Sequence, residues 1–385
     1  MVYNILYIAE RNFKALEDYT NVEERRSRRA NKKKEKKPAV VIARLLLVVF
    51  TTLLAVVLAL LIVFSTIFNG PSPSARDTLV TTLLESGNLK FVVSLFFKED
   101  EVMEIVNKTS MKEMNASLDT DLIASDGEVE GDFDENGIQI VEVNGRSFYG
   151  TMMIVKDASK VKCGTTYPWG EYGKELDKLV SENGAVAGVN GGLYAADGNR
   201  GGRPYGVCVS NGEILLNDPS GWPGTYMIGL DNNNILRIQN VAGWNGAKFK
   251  EFVAAEGIRD AVAFQDEASD SNNHFVPLII NGEARELNGA GSGANPRTAI
   301  GQRADGAILL LVTDGRGAAG HLGATASDLI GVMQQFGAVN AANLDGGSSS
   351  SMVYKGEYLM TSVTLYYANS SWKLPTAFVV MGGGQ

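Results

Sequence analysis

Two aspartates stand where buried strands would end, and each is followed at once by glycine. Asp314 closes residues 307–314 (AILLLVTD), and Asp345 closes residues 338–345 (AVNAANLD). Between the two apolar runs lies a segment with helical periodicity, so the order is strand, helix, strand, and the two strands are expected to run parallel. Both carboxylates would then lie at the same edge of a sheet, where two acids could act as the catalytic pair of a sugar-cleaving enzyme.

The intervening segment carries its own start and stop signals. Thr325 and Asp328 have the spacing of a capping box with a short acid, and Gly337 is placed to end the helix. The apolar residues between them fall on one helical face, namely Ala326, Leu329, Ile330, Met333 and Phe336. The spacing therefore predicts a helix that packs on the sheet through this face.

The loop after the second strand, residues 345–351 (DGGSSSS), predicts an anion-binding site. Its two glycines free the backbone to turn sharply, so that successive N–H groups could converge on an anion, and Ser348 adds a hydroxyl donor. Arg297 and Arg316 lie in similar Gly-rich contexts, and a guanidinium group binds phosphate oxygens through two parallel hydrogen bonds. A solvent-exposed turn is the ordinary alternative, but the combination favours a phosphorylated ligand.

Charge and rare residues exclude several functional classes. The net charge is −9, yet residues 1–37 contain 11 Lys and Arg against 6 Asp and Glu, so the rest of the chain is acidic and is not expected to bind nucleic acid. With only His274 and His321, a His-rich metal site is excluded. No cofactor is predicted, although a divalent metal is left open. Cys163 and Cys208 could be buried free thiols or one disulfide.

One segment predicts a membrane helix. Residues 45–68 (LLLVVFTTLLAVVLALLIVFSTIF) carry no charge, and as a helix they would span about 36 Å, against a hydrocarbon core of about 30 Å. Nine Lys and Arg lie between Arg25 and Lys37, before this run, and the other flank is nearly neutral. This predicts a single-pass protein of the cell membrane with its N-terminus in the cytoplasm and its C-terminal domain outside. A cleaved signal peptide would have a shorter apolar region.

The remaining chain divides by composition. We expect a basic cytoplasmic tail at residues 1–38, the transmembrane helix at 39–68, a helical stalk with an acidic linker at 71–136, and a folded domain at 137–385. Short β-like runs that close on Asn-Gly or Asp-Gly fill the last region. The predicted class is α+β, with a mixed β-sheet and a βαβ unit near the C-terminus.

Five motifs in order, GVNGGLY, RPYGVCVSNGEIL, NPRTAIG, LLLVTDGR and NLDGGSSSSM, resemble the phosphodiester glycosidase family over about residues 138–383. The resemblance implies cleavage of a sugar from a phosphodiester at the anomeric carbon. It also implies a membrane-anchored or secreted protein acting on exopolysaccharide or another cell-envelope glycopolymer. It implies that a pocket is lined by Asn190, Arg297, Thr298, Asp314, Arg316, Asn343, Asp345, Gly346, Gly347 and Ser348. Combined with the chemistry above, this predicts catalysis by Asp314, Asp345 and Arg297, with the roles of the two acids left open. Binding of substrate or phosphate is predicted for Asn190, Gly191, Thr298, Arg316, Asn343, Gly346, Gly347 and Ser348.

Other functions stay open at this stage. A metal-dependent phosphodiesterase would cut the P–O bond in place of the C–O bond, and a non-catalytic module would bind an anionic envelope polymer without cleaving it. A serine hydrolase is disfavoured because the serine run lacks the G-x-S-x-G pattern. His321 is interpreted as a residue at the rim of the site and not as a general base. The oligomeric state is not predicted.

Overall fold

The computed structural model describes residues 2–86, 89–114, 116–124, 127–267, 274–362 and 370–383. The chain forms two compact units, Met1–Pro71 and Ser72–Gln385. The first unit is a single helix, α1 (Val2–Phe68). Its segment Val40–Phe68 is long and apolar enough to cross a membrane, judged by length and composition. This segment contains the run in which the sequence predicted a transmembrane helix.

The second unit contains six further α-helices within the described residues. They are α2 (Pro73–Leu84), α3 (Lys90–Ser94), α4 (Glu99–Lys108), α5 (Leu176–Glu182), α6 (Gly246–Glu256) and α7 (Ala326–Gln335). The capping box predicted for α7 is confirmed, because the Thr325 hydroxyl accepts the Asp328 N–H while the Asp328 carboxylate accepts the Thr325 N–H. Gly337 follows the helix with a φ of 78°.

The described strands form three sheets, in which every pairing is antiparallel. In chain order the strands are β1 (Ile138–Asn144), β2 (Tyr149–Val155), β3 (Val161–Thr165), β4 (Ala185–Asn190), β5 (Val207–Ser210), β6 (Glu213–Asn217), β7 (Thr225–Asp231), β8 (Leu236–Asn240), β9 (Ile258–Gln265), β10 (Pro277–Ile280), β11 (Glu283–Ala284), β12 (Thr298–Arg303), β13 (Ile308–Thr313), β14 (Ala338–Asn343), β15 (Ser351–Tyr354), β16 (Glu357–Thr361) and β17 (Thr376–Met381). The first sheet has the order β1-β2-β13-β12-β14-β10-β11, the second β16-β15-β4-β17-β3, and the third β6-β5-β9-β7-β8.

The predicted α+β class is confirmed, and the βαβ unit has one unexpected detail. Strands β13 and β14 each pair antiparallel with β12, so they run in the same direction, but β12 lies between them. Thr298 at the start of β12 is opposite Val312, and Ala299 is opposite Asn343. The start of β12 therefore lies between the carboxyl ends of β13 and β14, which brings three predicted motifs to one edge.

Burial on both faces explains the uninterrupted apolar run of β13. Leu310 belongs to a core shared by all three sheets, with Ile228 and Phe378 among its members. The neighbouring Leu309 and Leu311 face the opposite way, into a second core with residues of α7. A strand covered on both faces needs no polar alternation, as the sequence pattern indicated.

The helices after Pro71 pack on the β-rich domain. The Ala294 N–H donates to the Thr82 hydroxyl at 2.9 Å, and the Asn288 N–H donates to the Ser110 carbonyl at 2.8 Å. A Cβ at Gly293 would lie 2.5 Å from the backbone nitrogen of Thr82, so α2 and this loop approach as closely as glycine allows. The segment expected to form a stalk is thus part of the same compact unit as the sheets.

The two cysteines lie next to each other in the core. Cys163 on β3 and Cys208 on β5 are both buried and free, and their sulfur atoms are 4.0 Å apart.

Candidate active site

A cavity of about 130 Å³ opens at the sheet edge where β12 begins and β14 ends. Polar and charged side chains dominate its wall. The residues that line it are Glu85, Phe264, His274, Phe275, Asn295, Arg297, Arg316, Asn343, Asp345, Gly346, Gly347 and Ser348. Seven of these were predicted from the sequence: Arg297, Arg316, Asn343, Asp345, Gly346, Gly347 and Ser348.

Asp345 is a carboxylate of this cavity with a raised pKa. Burial raises its pKa from 3.8 to about 6, because the surrounding protein solvates the charged form poorly. The Ser349 hydroxyl, the Gly346 N–H, His274 and Arg316 oppose this effect without cancelling it. The Gly346 N–H donates to Oδ1 at 3.0 Å. Asp345 is therefore a group that exchanges its proton close to neutral pH, as a general acid or base should.

Arg316 faces Asp345 from the turn after β13. Its Nη1 donates to the Ser348 hydroxyl at 2.6 Å, which joins this turn to the serine loop. Burial, reinforced by the positive charge of Arg297, lowers the pKa of Arg316, and Asp345 acts in the opposite direction. The Nε of Arg316 is buried and has no hydrogen-bond partner among the described residues. Its donor capacity is thus incompletely used by the protein.

Arg297 is held on two of its three nitrogens. Its Nη2 donates to the Gly293 carbonyl at 2.8 Å and forms an ion pair with Glu85, while Nε donates to the Ala324 carbonyl at 3.4 Å. The guanidinium carbon lies 5.0 Å from the centre of the Phe275 ring. Within the described part of the chain, Nη1 makes no hydrogen bond, so this nitrogen is available to a ligand in the cavity.

The glycine loop differs from the expected N–H nest. The Gly346 N–H donates to the carboxylate of Asp345, and the Gly347 N–H donates to the Pro296 carbonyl at 2.8 Å. Both donors are therefore directed at protein oxygens, because the loop must brace the acid that precedes it. Gly347 has a φ of 62°, and a Cβ there would lie 2.6 Å from Nη2 of Arg316. The glycine is required by the close approach of the arginine and not by contact with an anion.

Three predicted binding residues lie behind the cavity wall. Asn190 at the end of β4 donates to the Asp345 carbonyl at 2.6 Å and accepts from the Thr298 hydroxyl at 2.7 Å. The Gly191 carbonyl accepts the Asp345 N–H at 3.3 Å. These residues do not line the cavity. Asn190 instead fastens the second sheet to β12 and to the loop that carries Asp345.

Asp314 is close to the same edge, but its carboxylate is engaged elsewhere. Its Oδ1 accepts the Tyr149 N–H at 2.7 Å, and its Oδ2 lies 2.7 Å from Nδ1 of His321. The side chain is 9% exposed and does not line the cavity, whereas that of His321 is 32% exposed. The two acids that line the cavity are Asp345 and Glu85, and not the pair that the strand ends suggested.

Glu85 and His274 are the two titratable cavity residues that sequence reasoning missed. Glu85 follows α2, more than two hundred positions before Arg297, and within a helical pattern an acid carries no signal of such a contact. His274 follows a polar stretch and was considered only as a metal ligand. Tyr194 was also not predicted as a site residue. Its hydroxyl lies 2.9 Å from that of Ser349, and burial raises its pKa. Its motif, GVNGGLY, was the available signal.

The fold and the site together define an α+β domain that presents two guanidinium groups and a proton-exchanging carboxylate to a small anion-sized cavity. A sequence model of the phosphodiester glycosidase family matches residues 183–381, which is more than half of the chain. The chain belongs to the phosphodiester glycosidase family.

Individual proteins match this chain either over a short segment or with low sequence identity. The chain is 42% identical over 65 residues to the SPbeta prophage-derived protein YomE of Bacillus subtilis (strain 168), which is 17% of this chain and 10% of that protein. It therefore spans about a tenth of the length of this curated relative. The structure is similar to the catalytic domain of zebrafish N-acetylglucosamine-1-phosphodiester alpha-N-acetylglucosaminidase, with 16% identity, a TM-score of 0.48, and coverage of 63% of this chain and 82% of that one. A Synechocystis hypothetical protein matches with 18% identity, a TM-score of 0.40, and coverage of 63% and 61%.

Proposed function

We propose that this protein hydrolyses the bond between the anomeric carbon of a sugar and the oxygen of a phosphodiester. The observation that carries the proposal is the placement of Asp345, with a pKa of about 6, in a cavity that also presents Arg297 and Arg316. Family membership supports the same reaction class. A phosphate monoester is a weakly basic leaving group, so its departure requires stabilisation of charge more than a strong proton donor.

In the proposed step, water attacks the anomeric carbon while the C–O bond to phosphate breaks. The bonding electrons leave with the phosphate oxygen, which Arg297 and Arg316 stabilise, and Asp345 accepts the proton from water. Ser348, held by Arg316, adds a hydroxyl to the phosphate side of the cavity. Asp314 acts at a distance, by fixing the turn that carries Arg316 through its contacts with Tyr149 and His321.

The volume of the cavity supports a site that encloses only the phosphate group and the reacting atoms. About 130 Å³ is smaller than the ~300–1,000 Å³ of pockets that enclose a drug-sized ligand. The cavity would accommodate the phosphate group and the reacting atoms, while the sugar and the second alcohol extend toward solvent. Such a site suits a substrate that is part of a long polymer, which could not be enclosed.

The proposed substrate is a cell-envelope glycopolymer or exopolysaccharide. The apolar segment Val40–Phe68 would anchor the chain in the cell membrane, and the nine basic residues before it would hold the N-terminus in the cytoplasm. The second unit would then face the outside, where sugar-phosphate polymers of the envelope lie within reach.

The test is incubation of the full-length protein, purified in detergent, with a panel of sugar-1-phosphodiesters, followed by separation of the products. Free sugar together with a phosphate monoester supports the proposal. Release of a sugar phosphate that EDTA abolishes would identify a metal-dependent phosphodiesterase, and retention of an anionic polymer without products would identify a binding module. Asp345→Asn serves as the control for contaminating activity.

A further inference from the structure

Glu85 is an unusual member of the cavity wall. It comes from the end of α2, outside the segment that the family model matches, yet its side chain is only 4% exposed. Its carboxylate accepts the Gly293 N–H at 2.7 Å and the Asn295 side-chain amide at 3.1 Å, and it pairs with Nη2 of Arg297. A buried carboxylate with three donors is a fixed part of the site, because removing it would leave a buried guanidinium without its counter-charge.

The contacts of Glu85 determine which nitrogen of Arg297 faces a ligand. Glu85, Ser292 and Gly293 occupy Nη2, and Ala324 occupies Nε, so Nη1 is the nitrogen left for the cavity. A guanidinium group held in this way offers one donor nitrogen to a ligand, in place of the two nitrogens that a bidentate contact uses.

The charges of the cavity residues also affect which anion the cavity prefers. Arg297 and Arg316 contribute two positive charges, and Glu85 removes one of them before Asp345 is counted. A phosphodiester carries one negative charge near neutral pH, whereas a phosphate monoester carries nearly two. With Asp345 ionised, as a pKa of about 6 implies at pH 8, the two guanidinium groups and the two carboxylates cancel. Without Glu85 the other three groups would leave one net positive charge, which attracts a dianion about twice as strongly as a monoanion.

We propose that Glu85 determines the specificity of the phosphate site. It positions Arg297 and offsets one guanidinium charge, so that the cavity holds a singly charged phosphodiester in preference to a doubly charged phosphate. This inference rests on the proposed function, in which the diester is the substrate and the monoester is the product that must leave. In this proposal, the helical segment that precedes the sheets contributes Glu85 to the active site.

The experiment compares the binding of two probes by calorimetry at pH 8, where inorganic phosphate is mainly a dianion and dimethyl phosphate is a monoanion. The full-length protein is compared with Glu85→Gln, which preserves the shape of the side chain but removes its charge. The quantity of interest is the ratio of the two dissociation constants. We expect Glu85→Gln to shift this ratio toward inorganic phosphate by about tenfold, because a lost negative charge acts about twice as strongly on a dianion.

The matched control is Asp77→Asn, which removes a carboxylate from the same helix; among the described residues it forms an ion pair with Arg76 alone, at 2.8 Å. This variant should leave the ratio unchanged. If Glu85→Gln weakened both probes by the same factor, the residue would have only a structural role, and the proposal would be overturned. If it strengthened both by the same factor, the carboxylate would be a competitor of the ligand for Arg297, and the proposal would again be overturned.

A second variant keeps the test decisive if the glutamine protein does not fold. Glu85→Asp retains the charge but shortens the side chain by one methylene, so both probes should bind more weakly with a ratio within about twofold of the wild type. A tenfold shift in Glu85→Asp would show that shape and not charge sets the preference, which contradicts the proposal. Because the readout is binding, a wild-type protein that cleaves no sugar-1-phosphodiester would overturn the proposed function without deciding this test.

Discussion

Replacing Asp345 by asparagine is expected to make the protein more stable and far less active at pH 7. Asparagine resembles the protonated acid in shape, and its amide oxygen is able to accept the Gly346 N–H that Oδ1 now accepts at 3.0 Å. What the substitution removes is a charge that the folded protein solvates poorly. Stability and activity should therefore move in opposite directions, as is common for groups placed for function.

The magnitude follows from the shift in pKa. The pKa of Asp345 is about 6 in the folded protein against 3.8 for the free side chain, so the folded state binds this proton more tightly than the unfolded state. The contribution of Asp345 to folding therefore becomes less favourable as the pH rises from about 4 to 6, and the full loss is present above pH 6. About two pH units correspond to about 3 kcal/mol, at about 1.36 kcal/mol per unit.

The assay is urea unfolding of the full-length wild type and variant in detergent at pH 4 and pH 7, combined with turnover of a sugar-1-phosphodiester. At pH 7 the variant should have a free energy of unfolding about 3 kcal/mol higher, and at pH 4 the two should be nearly equal. Turnover should fall by at least about 10², the usual contribution of a general base. Equal stabilisation at both pH values, or wild-type turnover in the variant, would refute the reasoning.

The remaining predictions address the loop, the histidine and the topology. Gly347→Val should weaken the binding of inorganic phosphate at least about tenfold, measured by calorimetry, because its φ of 62° resists a β-branched residue and the new side chain would displace Arg316; unchanged affinity would show that Arg316 does not bind the anion. His321→Ala should keep turnover within about tenfold, since His321 contacts Asp314 and does not line the cavity; a larger loss in a folded variant would indicate a base. Protease added to intact cells should release fragments of the second unit and leave an N-terminal tag protected, whereas a tag that is digested would reverse the proposed orientation.

Features that depend on local signals could be predicted from the sequence. Helix α7 was located because its capping box, its apolar face and its terminal glycine are all within about a dozen residues. The common direction of β13 and β14 followed from the length of the connection between them. The glycine and proline residues beside them likewise indicated Arg297, Arg316 and Asp345, which the structure brings to one cavity.

Features that depend on distant contacts could not be predicted. The sequence contains no sign that β12 separates β13 from β14, because β12 precedes both of them and its place is decided by packing in the shared core. The sequence predicted an anion-binding nest at the glycine loop. The direction of an N–H group depends on φ and ψ, which composition does not specify. In the structure the Gly347 N–H donates to the Pro296 carbonyl.

Asp345 and Asp314 differ in their contacts although both follow strands that end at the same edge. Both acids follow strands that point to the same edge, but a carboxylate that already accepts a backbone N–H and contacts His321 has little capacity left for a substrate. Asp345 is contacted by the Gly346 N–H and the Ser349 hydroxyl of its own loop, but unlike Asp314 it lines the cavity, and burial there raises its pKa. The second acid of the cavity instead comes from the helix before the family domain. If Glu85 sets the anion preference as we propose, specificity could change through a residue outside the segment 183–381 while the family motifs stay the same.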